Sequence, residues 1–389
     1  MLGRQSGAVR MSAIAALGLV AVTAASGAGA APSSRPIVYV NSYATYALRP
    51  DGTGWRQLNE CTLNPVATNG RQMIGGFNHL SDPSAPLVLL PATKEVVNDC
   101  DSGPRDPSVL RFRLQVKGSQ VKSWNSFSWS PDGRRIAAVG QLGSGSGATW
   151  RTVIFNANGA GYRVLAPSLD GIQSNVSAAA WSPRGDRIVF GRTFRTSDCP
   201  EFVETKTVGI GCSRAELAVM DANGSNARSL YRPPQIEESE VDDLPAGSAL
   251  HKLPNVFYRP FAWHGGRIFV LAHEDESPRR DDISERIAVI GEDGTGFRYL
   301  TPPGYVGTPP ALSPDGKQIA WIWLPGCTKG QPQAACTRSS ALYVMDSSGG
   351  RIRKVAIRQP LTSATCERGS LPGRKTCTRD NIGFDQVAW

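Results

Sequence analysis

The chain is predicted to be all-β, a six-bladed β-propeller of four-stranded antiparallel blades whose first blade is closed by the C-terminal strand. Three observations predict it. One strand–turn–strand phrase recurs: "NSFSWSPDGRRIAAVGQ" at Asn125–Gln141, "AAAWSPRGDRIVFGR" at Ala178–Arg192 and "PALSPDGKQIAWIW" at Pro310–Trp323. Each copy is followed, after a loop, by a second hairpin, so the repeating unit is one small sheet of about 40–50 residues. The two ends of the chain each hold what the other lacks.

The unit is read from the first of these copies. An apolar strand, A, ends at Trp129, and Ser-Pro-Asp-Gly turns the chain. Pro131 presets φ at the second turn position, and Gly133 accepts the positive φ that closes it. "RRIAAV" resumes with the alternation of a strand, B. "TVIFNANGAGYRVLA" is then a strand C, an Asn-Gly turn and a strand D. This is blade 3, residues 125–166. The same order gives blade 4 over 174–232, blade 5 over 254–301 and blade 6 over 305–356. A decayed copy, "TLNPVATNGRQMIGGF" and "VLRFRLQVKGSQVKSW", gives blade 2 over 61–124. One such sheet has two apolar faces and buries neither alone, whereas stacking sheets about an axis buries both. "RPIVYVNSYATYALRPDGTGWRQLN" supplies strands B, C and D with no A before them, and "GFDQVAW" is a strand A that stops at Trp389. Together they make blade 1, residues 37–60 plus 383–389, with 357–381 a loop. The competing explanation is a seven-bladed protein ending early.

"WSPDGRRIAAV" followed by "AVMDANGSNARSL" or "YVMDSSGG" resembles the TolB-type propeller repeat. That repeat is related to the WD-type repeat and also builds the propellers of prolyl-oligopeptidase-like enzymes. The resemblance covers nearly all of residues 32–389 and implies the fold, because the motif marks turns and core positions rather than a site. Two departures matter. No α/β domain of the TolB kind precedes the blades, and no Gly-x-Ser-x-Gly elbow of a peptidase domain is present.

Residues 1–31 read as a cleaved signal peptide. Arg4 and Arg10 precede a weakly apolar run that ends in Ala28-Gly29-Ala30. An uncleaved anchor is the other reading of the run, and no later segment is apolar enough to span a bilayer. The expected location is secreted, periplasmic or cell-envelope, which sets nucleic acid aside as a partner. The net charge of +9 is concentrated late, in Arg351, Arg353, Lys354, Arg358, Arg368, Arg374, Lys375 and Arg379. Such a run is a patch for anionic polymers or a solvated loop. Eight cysteines in an exported chain favour disulfides. Proximity pairs Cys199 with Cys212, Cys327 with Cys336 and Cys366 with Cys377, leaving Cys61 for Cys100, one of 105 possible connectivities.

Strand order puts every A–B and C–D turn on one face and every B–C and D–A loop on the other. The long insertions (78–108, 141–150, 193–214, 233–253, 273–285, 325–339 and 357–381) and all eight cysteines belong to the loop face. Stapled one-sided loops point to binding. Four residues before the Trp position of each strand A stand Thr62, Asn125, Ser177, Arg259, Thr308 and Asp385, all polar. They are the candidate binding ring at the channel mouth, where Arg259 and Asp385 suit an anionic or zwitterionic ligand or each other; a hydrated channel is the plainer reading. His264 replaces Ser in an A–B turn. His79, His251 and His273 are expected on the loop face and are what a propeller-type polysaccharide lyase or hydrolase would use. No histidine pair has metal-ligand spacing, and the acidic stretches Glu237–Asp243 and His273–Asp282 lack the periodic oxygens of a calcium loop. Asp221 and Asp346 belong to C–D turns. No metal, cofactor or catalytic residue is assigned. The expected role is a monomeric, non-catalytic binding or scaffolding propeller for a protein, peptide or envelope saccharide.

Overall fold

The structure, a computed structural model, describes residues 35–41, 45–59, 63–77, 87–92, 110–112, 115–116, 119–143, 148–165, 169, 174–195, 213–233, 257–275, 283–302, 309–323, 341–356, 365–368, 375–378 and 384–389. The expected signal peptide, Thr62, Thr308, His79, His251 and the six cysteines from Cys61 to Cys336 lie outside them.

Six antiparallel sheets form a six-bladed β-propeller. Blade 1 joins β1 (Ile37–Asn41), β2 (Thr45–Leu48) and β3 (Arg56–Asn59) to β27 (Phe384–Ala388). Blade 2 is β4 (Leu63–Thr68), β5 (Gln72–Phe77), β6 (Leu87–Pro91) and β7 (Leu110–Phe112). Blade 3 is β9 (Ser119–Trp129), β10 (Arg135–Leu142), β11 (Thr149–Asn156) and β12 (Arg163–Leu165), with β8 (Gln115–Val116) added beside β9. Blade 4 is β13 (Ser174–Trp181), β14 (Arg187–Arg195), β15 (Ser213–Asp221) and β16 (Arg228–Tyr231). Blade 5 is β17 (Phe257–His264), β18 (Arg267–Asp275), β19 (Ile283–Gly291) and β20 (Arg298–Tyr299). Blade 6 is β21 (Ala311–Leu312), β22 (Gln318–Trp323), β23 (Ala341–Asp346) and β24 (Arg353–Lys354). The first strands touch in the order β27, β4, β9, β13, β17, β21 and back to β27, so the ring is closed.

Closure works as the two chain ends imply. β27 pairs antiparallel with β1, setting Val387 opposite Tyr39 and Ala388 opposite Val38. Trp389 is buried and its indole N–H donates to the Arg35 carbonyl at 3.2 Å. A buried apolar cluster lies at each of the six blade junctions. The one between blades 6 and 1 takes Val387 and Trp389 into the company of Ile37, Tyr39, Ile322 and Leu342. Each large side chain buried this way contributes about 1.5–3 kcal/mol.

The tight turns share one face and lock the blades together. Within a blade the C–D turn docks on the A–B turn: Ala157 N–H bonds Arg134 O, Ala222 N–H bonds Asp186 O, and Ser347 N–H bonds Lys317 O, at 2.7–2.9 Å. Between blades, a strand-D arginine donates to a carbonyl in the next blade's C–D turn. Arg163 reaches Ala222 O at 2.8 Å, Arg298 reaches Ser348 O at 3.3 Å and Arg353 reaches Pro50 O at 2.9 Å. Two residues on, an apolar side chain lies beneath the glycine of that same turn, Leu165 under Gly224 and Leu300 under Gly349. Gly224 and Gly349 hold φ of 88° and 95°, so a Cβ there is strained as well as crowded. Arg353, one of the late basic residues, is therefore a fastener between blades 6 and 1.

Three details depart from the sequence reading. Leu87–Pro91, expected within a loop, is the third strand of blade 2. "SQVKSW" does form a hairpin with "QV", but it runs straight on as the first half of β9. The 357–381 segment holds a hairpin of β25 (Thr365–Arg368) and β26 (Lys375–Thr378), with Cys366 opposite Cys377.

Candidate functional site

The first strands enclose a cavity of about 290 Å³ on the axis of the ring. Its wall runs from Asn125, Ser177 and Arg259, near the strand starts, to Trp129, Trp181, Trp263 and Trp389 at the turn face. The tryptophans are fastened by the turn machinery. Arg135 stacks over Trp181 at 4.6 Å and bonds Gly185 O at 3.1 Å, and Arg187 stacks over Trp263 at 4.8 Å.

The expected ring residues sit at a repeated irregularity. The register of the first strand slips at Asn125 in blade 3, at Ser177 in blade 4 and at Asp385 in blade 1. Blade 5 slips at Phe261, two residues after Arg259. A β-bulge leaves one residue without a ladder partner and re-aims its side chain. Here the side chains join neighbouring blades. Asn125 Nδ2 donates to the Ser177 carbonyl at 2.5 Å, and Ser177 Oγ donates to the Tyr258 carbonyl at 2.6 Å. Gly191 makes the second bond possible, because a Cβ there would run into both Tyr258 O and Ser177 Oγ. Asn125 and Ser177 are thus engaged in holding blades 3, 4 and 5 together. Thr62 and Thr308 fall outside the described residues, and of Asp385 only the backbone position is described.

Arg259 is different. Its guanidinium carbon lies 5.0 Å from the centre of the Phe257 ring. Phe257 stacks on His273 at 4.0 Å, and His273 Nδ1 is 3.4 Å from Glu285 Oε1. Arg259 Nε is buried without a hydrogen-bond partner among the described residues. This corrects the expectation for His273. It belongs to β18 rather than to a loop, is 8% exposed and is engaged inside blade 5. His264 occupies its turn and packs on Gly316 of blade 6. Among the described residues no three His, Cys, Asp or Glu gather as metal ligands.

The sequence reading missed a buried ion pair in blade 4. Arg192 Nε meets Glu216 Oε1 at 2.5 Å, with both side chains fully buried. Glu216 Oε2 also accepts from Ser229 Oγ at 3.0 Å and Arg232 Nε at 2.6 Å. The signal was available: Glu216 directly precedes the apolar run "LAVM", and Arg192 follows "IVFG". A buried pair of this kind adds little net stability over an apolar replacement, but removing one partner is costly because it strands the other charge.

No family model and no curated protein matches the chain. Among solved structures it is similar to TolB from Acinetobacter baumannii, with 14% identity, a TM-score of 0.49 and cover of 82% of this chain and 63% of that one. It is similar to a chain of a nidogen/laminin complex at 10% identity and TM-score 0.47, covering 91% and 97% of the two chains. It is also similar to the β-propeller domain of the Trilobed protease from Pyrococcus furiosus at 11% identity and TM-score 0.38, covering 75% and 71%. The chain spans less than two thirds of the TolB length, and these similarities bear on neither ligand nor activity.

Proposed function

We propose that this chain is an exported, non-catalytic binding propeller whose loop face, with the channel mouth at its centre, recognises a protein, a peptide or an envelope saccharide. The long connections expected on one face support the reading. On the turn face the backbone groups of the turns are engaged in turn–turn and blade–blade hydrogen bonds, while Trp181 Nε1 and Arg187 Nε are buried without a partner among the described residues. At the channel a buried guanidinium nitrogen is left without a partner among the described residues. Long connections on a rigid scaffold are where binding residues concentrate. The leader-like run ending at Ala28-Gly29-Ala30 and the even cysteine number support export with disulfides. The facing positions of Cys366 and Cys377 support their pairing.

A pull-down from the native envelope tests it. The protein is compared with one variant carrying an equal-length Gly-Ser replacement of 233–253 and with the turn-face variant Asp132→Asn. Capture lost in the loop variant and kept in the turn variant is expected. Capture insensitive to the loop and abolished by Asp132→Asn, or no capture at all, contradicts it.

A further inference from the structure

Three polar atoms of residues on the wall of the axial cavity are buried and have no hydrogen-bond partner among the described residues: Arg259 Nε and Ser126 Oγ toward the strand starts, and Trp181 Nε1 at the turn face, where Arg135 stacks on its ring. Such atoms are rare in folded proteins and need an explanation. The other described hydroxyls of the wall are all committed. Thr68 Oγ1 bonds Gln72 O, Ser128 Oγ accepts from the backbone N–H of Trp181, and Ser177 Oγ bonds Tyr258 O. Ser182 Oγ and Ser313 Oγ bond Asp186 and Asp315 in their turns. Arg259 is the one permanently charged side chain among the described wall residues, and the mixed wall it belongs to carries the apolar side chains Phe127, Pro260, Phe261 and Pro310.

We infer that the channel binds the carboxylate of a small amphipathic acid, with Arg259 taking the charge, Ser126 available as a further donor, and the proline and phenylalanine wall taking the apolar part. It deepens the binding reading of the loop face and rests on it. A single guanidinium neutralises a monoanion and leaves a phosphate dianion half uncompensated. Its planar fork matches the two oxygens of a carboxylate. A saccharide needs a dense set of donors and acceptors, and the wall has one free hydroxyl to give. The volume of about 290 Å³ lies at the small end of ligand pockets. The guanidinium is also held in place beforehand. It packs on Phe257, which stacks on His273, which Glu285 holds. A cation fixed before binding loses less freedom when the anion arrives.

Two sources of a carboxylate fit, a free carboxylic acid and the C-terminal end of a peptide. Calorimetric titration of the protein separates them, using 3-phenylpropionate and N-acetylphenylalanine, each beside its uncharged amide. Both acids, or N-acetylphenylalanine alone, are expected to bind, each about ten- to a hundred-fold more tightly than its amide. The second pattern assigns the site to peptide ends. Arg259→Gln is expected to remove the preference for acid over amide, and Arg259→Lys to keep part of it. The comparison on the unaltered protein needs no variant, so a misfolded Arg259→Gln leaves the test intact. Acids and amides binding alike, neither acid binding at millimolar concentration, or an unchanged preference in a folded Arg259→Gln overturns the inference. A silent channel in a protein that still captures its envelope partner through the loops overturns this inference alone.

Discussion

Ser177 and Gly191 meet where the Tyr258 carbonyl of blade 5 approaches blade 4, and each is there for a different reason. Ser177 Oγ satisfies the Tyr258 carbonyl, and Gly191 leaves it room to do so. Ser177→Ala is expected to cost about 1–3 kcal/mol, the penalty for a buried acceptor left unpaired. Gly191→Ala is expected to cost at least as much, because the new methyl collides with backbone that cannot swing away. Denaturant unfolding of the two variants checks this, and a neutral Gly191→Ala would show that the blades have slack at the bulge. The turn carboxylates set the response to acid. Ser130 Oγ and the Arg134 N–H hold Asp132 below its ordinary value of 3.8, and Ser182 Oγ does the same for Asp186. A pKa lowered on folding adds stability that is present above the unfolded value and lost as the pH falls through the folded one. The Tm is therefore expected to be level from neutrality to about pH 5 and to fall below about pH 4. The double variant Ser130→Ala, Ser182→Ala should fall less steeply over that acid range, and an identical slope would contradict the assignment. Counting back from Trp129 and Trp181 found Asn125 and Ser177. Their partners were beyond sequence, since Ser177 lies 52 residues from Asn125 and Tyr258 lies 81 from Ser177. His273 was misplaced because the polarity of "HEDES" looks like a loop. Backbone pairing carries β18 on to Asp275 whatever the side chains are.

At the scale of the strand, the fourth strands carry a phrase that was there to be read: Arg163-Val164-Leu165, Arg228-Ser229-Leu230, Arg298-Tyr299-Leu300 and Arg353-Lys354-Val355. Its meaning needs the neighbouring blade. In blades 3 and 5 the arginine bonds the next turn and the leucine fills the space under that turn's glycine. Arg163→Ala is expected to cost about 0.5–1.5 kcal/mol and Leu165→Ala about 2–5 kcal/mol, measured by chemical unfolding. An arginine variant more damaging than the leucine variant would mean that the hydrogen bond, not the packing, carries the junction. Blade 2 was the hardest to read. Its A–B turn lost the Ser-Pro-Asp-Gly signature, and the Lys117-Gly118-Ser119 turn drew the C–D hairpin onto residues that the chain spends on β8 and β9. The apolar run Leu87–Leu90 was a fair strand signal inside a stretch taken for an insertion.

The ring as a whole was legible because it is periodic. Five copies of one phrase, plus two complementary ends, leave little freedom in how the sheets close. The channel wall follows from the same geometry, since every first strand faces the axis. Which wall residues remain free follows only from accounting for every donor, and that depends on contacts between blades. The claim on which the rest stands is that β27 completes blade 1. Without it, β1 would present an open sheet edge, and the cluster holding Val387 and Trp389 would open to water. The direct test is denaturant unfolding of a chain lacking residues 384–389. The expected result is loss of the single cooperative transition, with a broadened curve and a lower m-value. A truncated protein that unfolds as sharply as the full chain, and at the same midpoint, would contradict the closure.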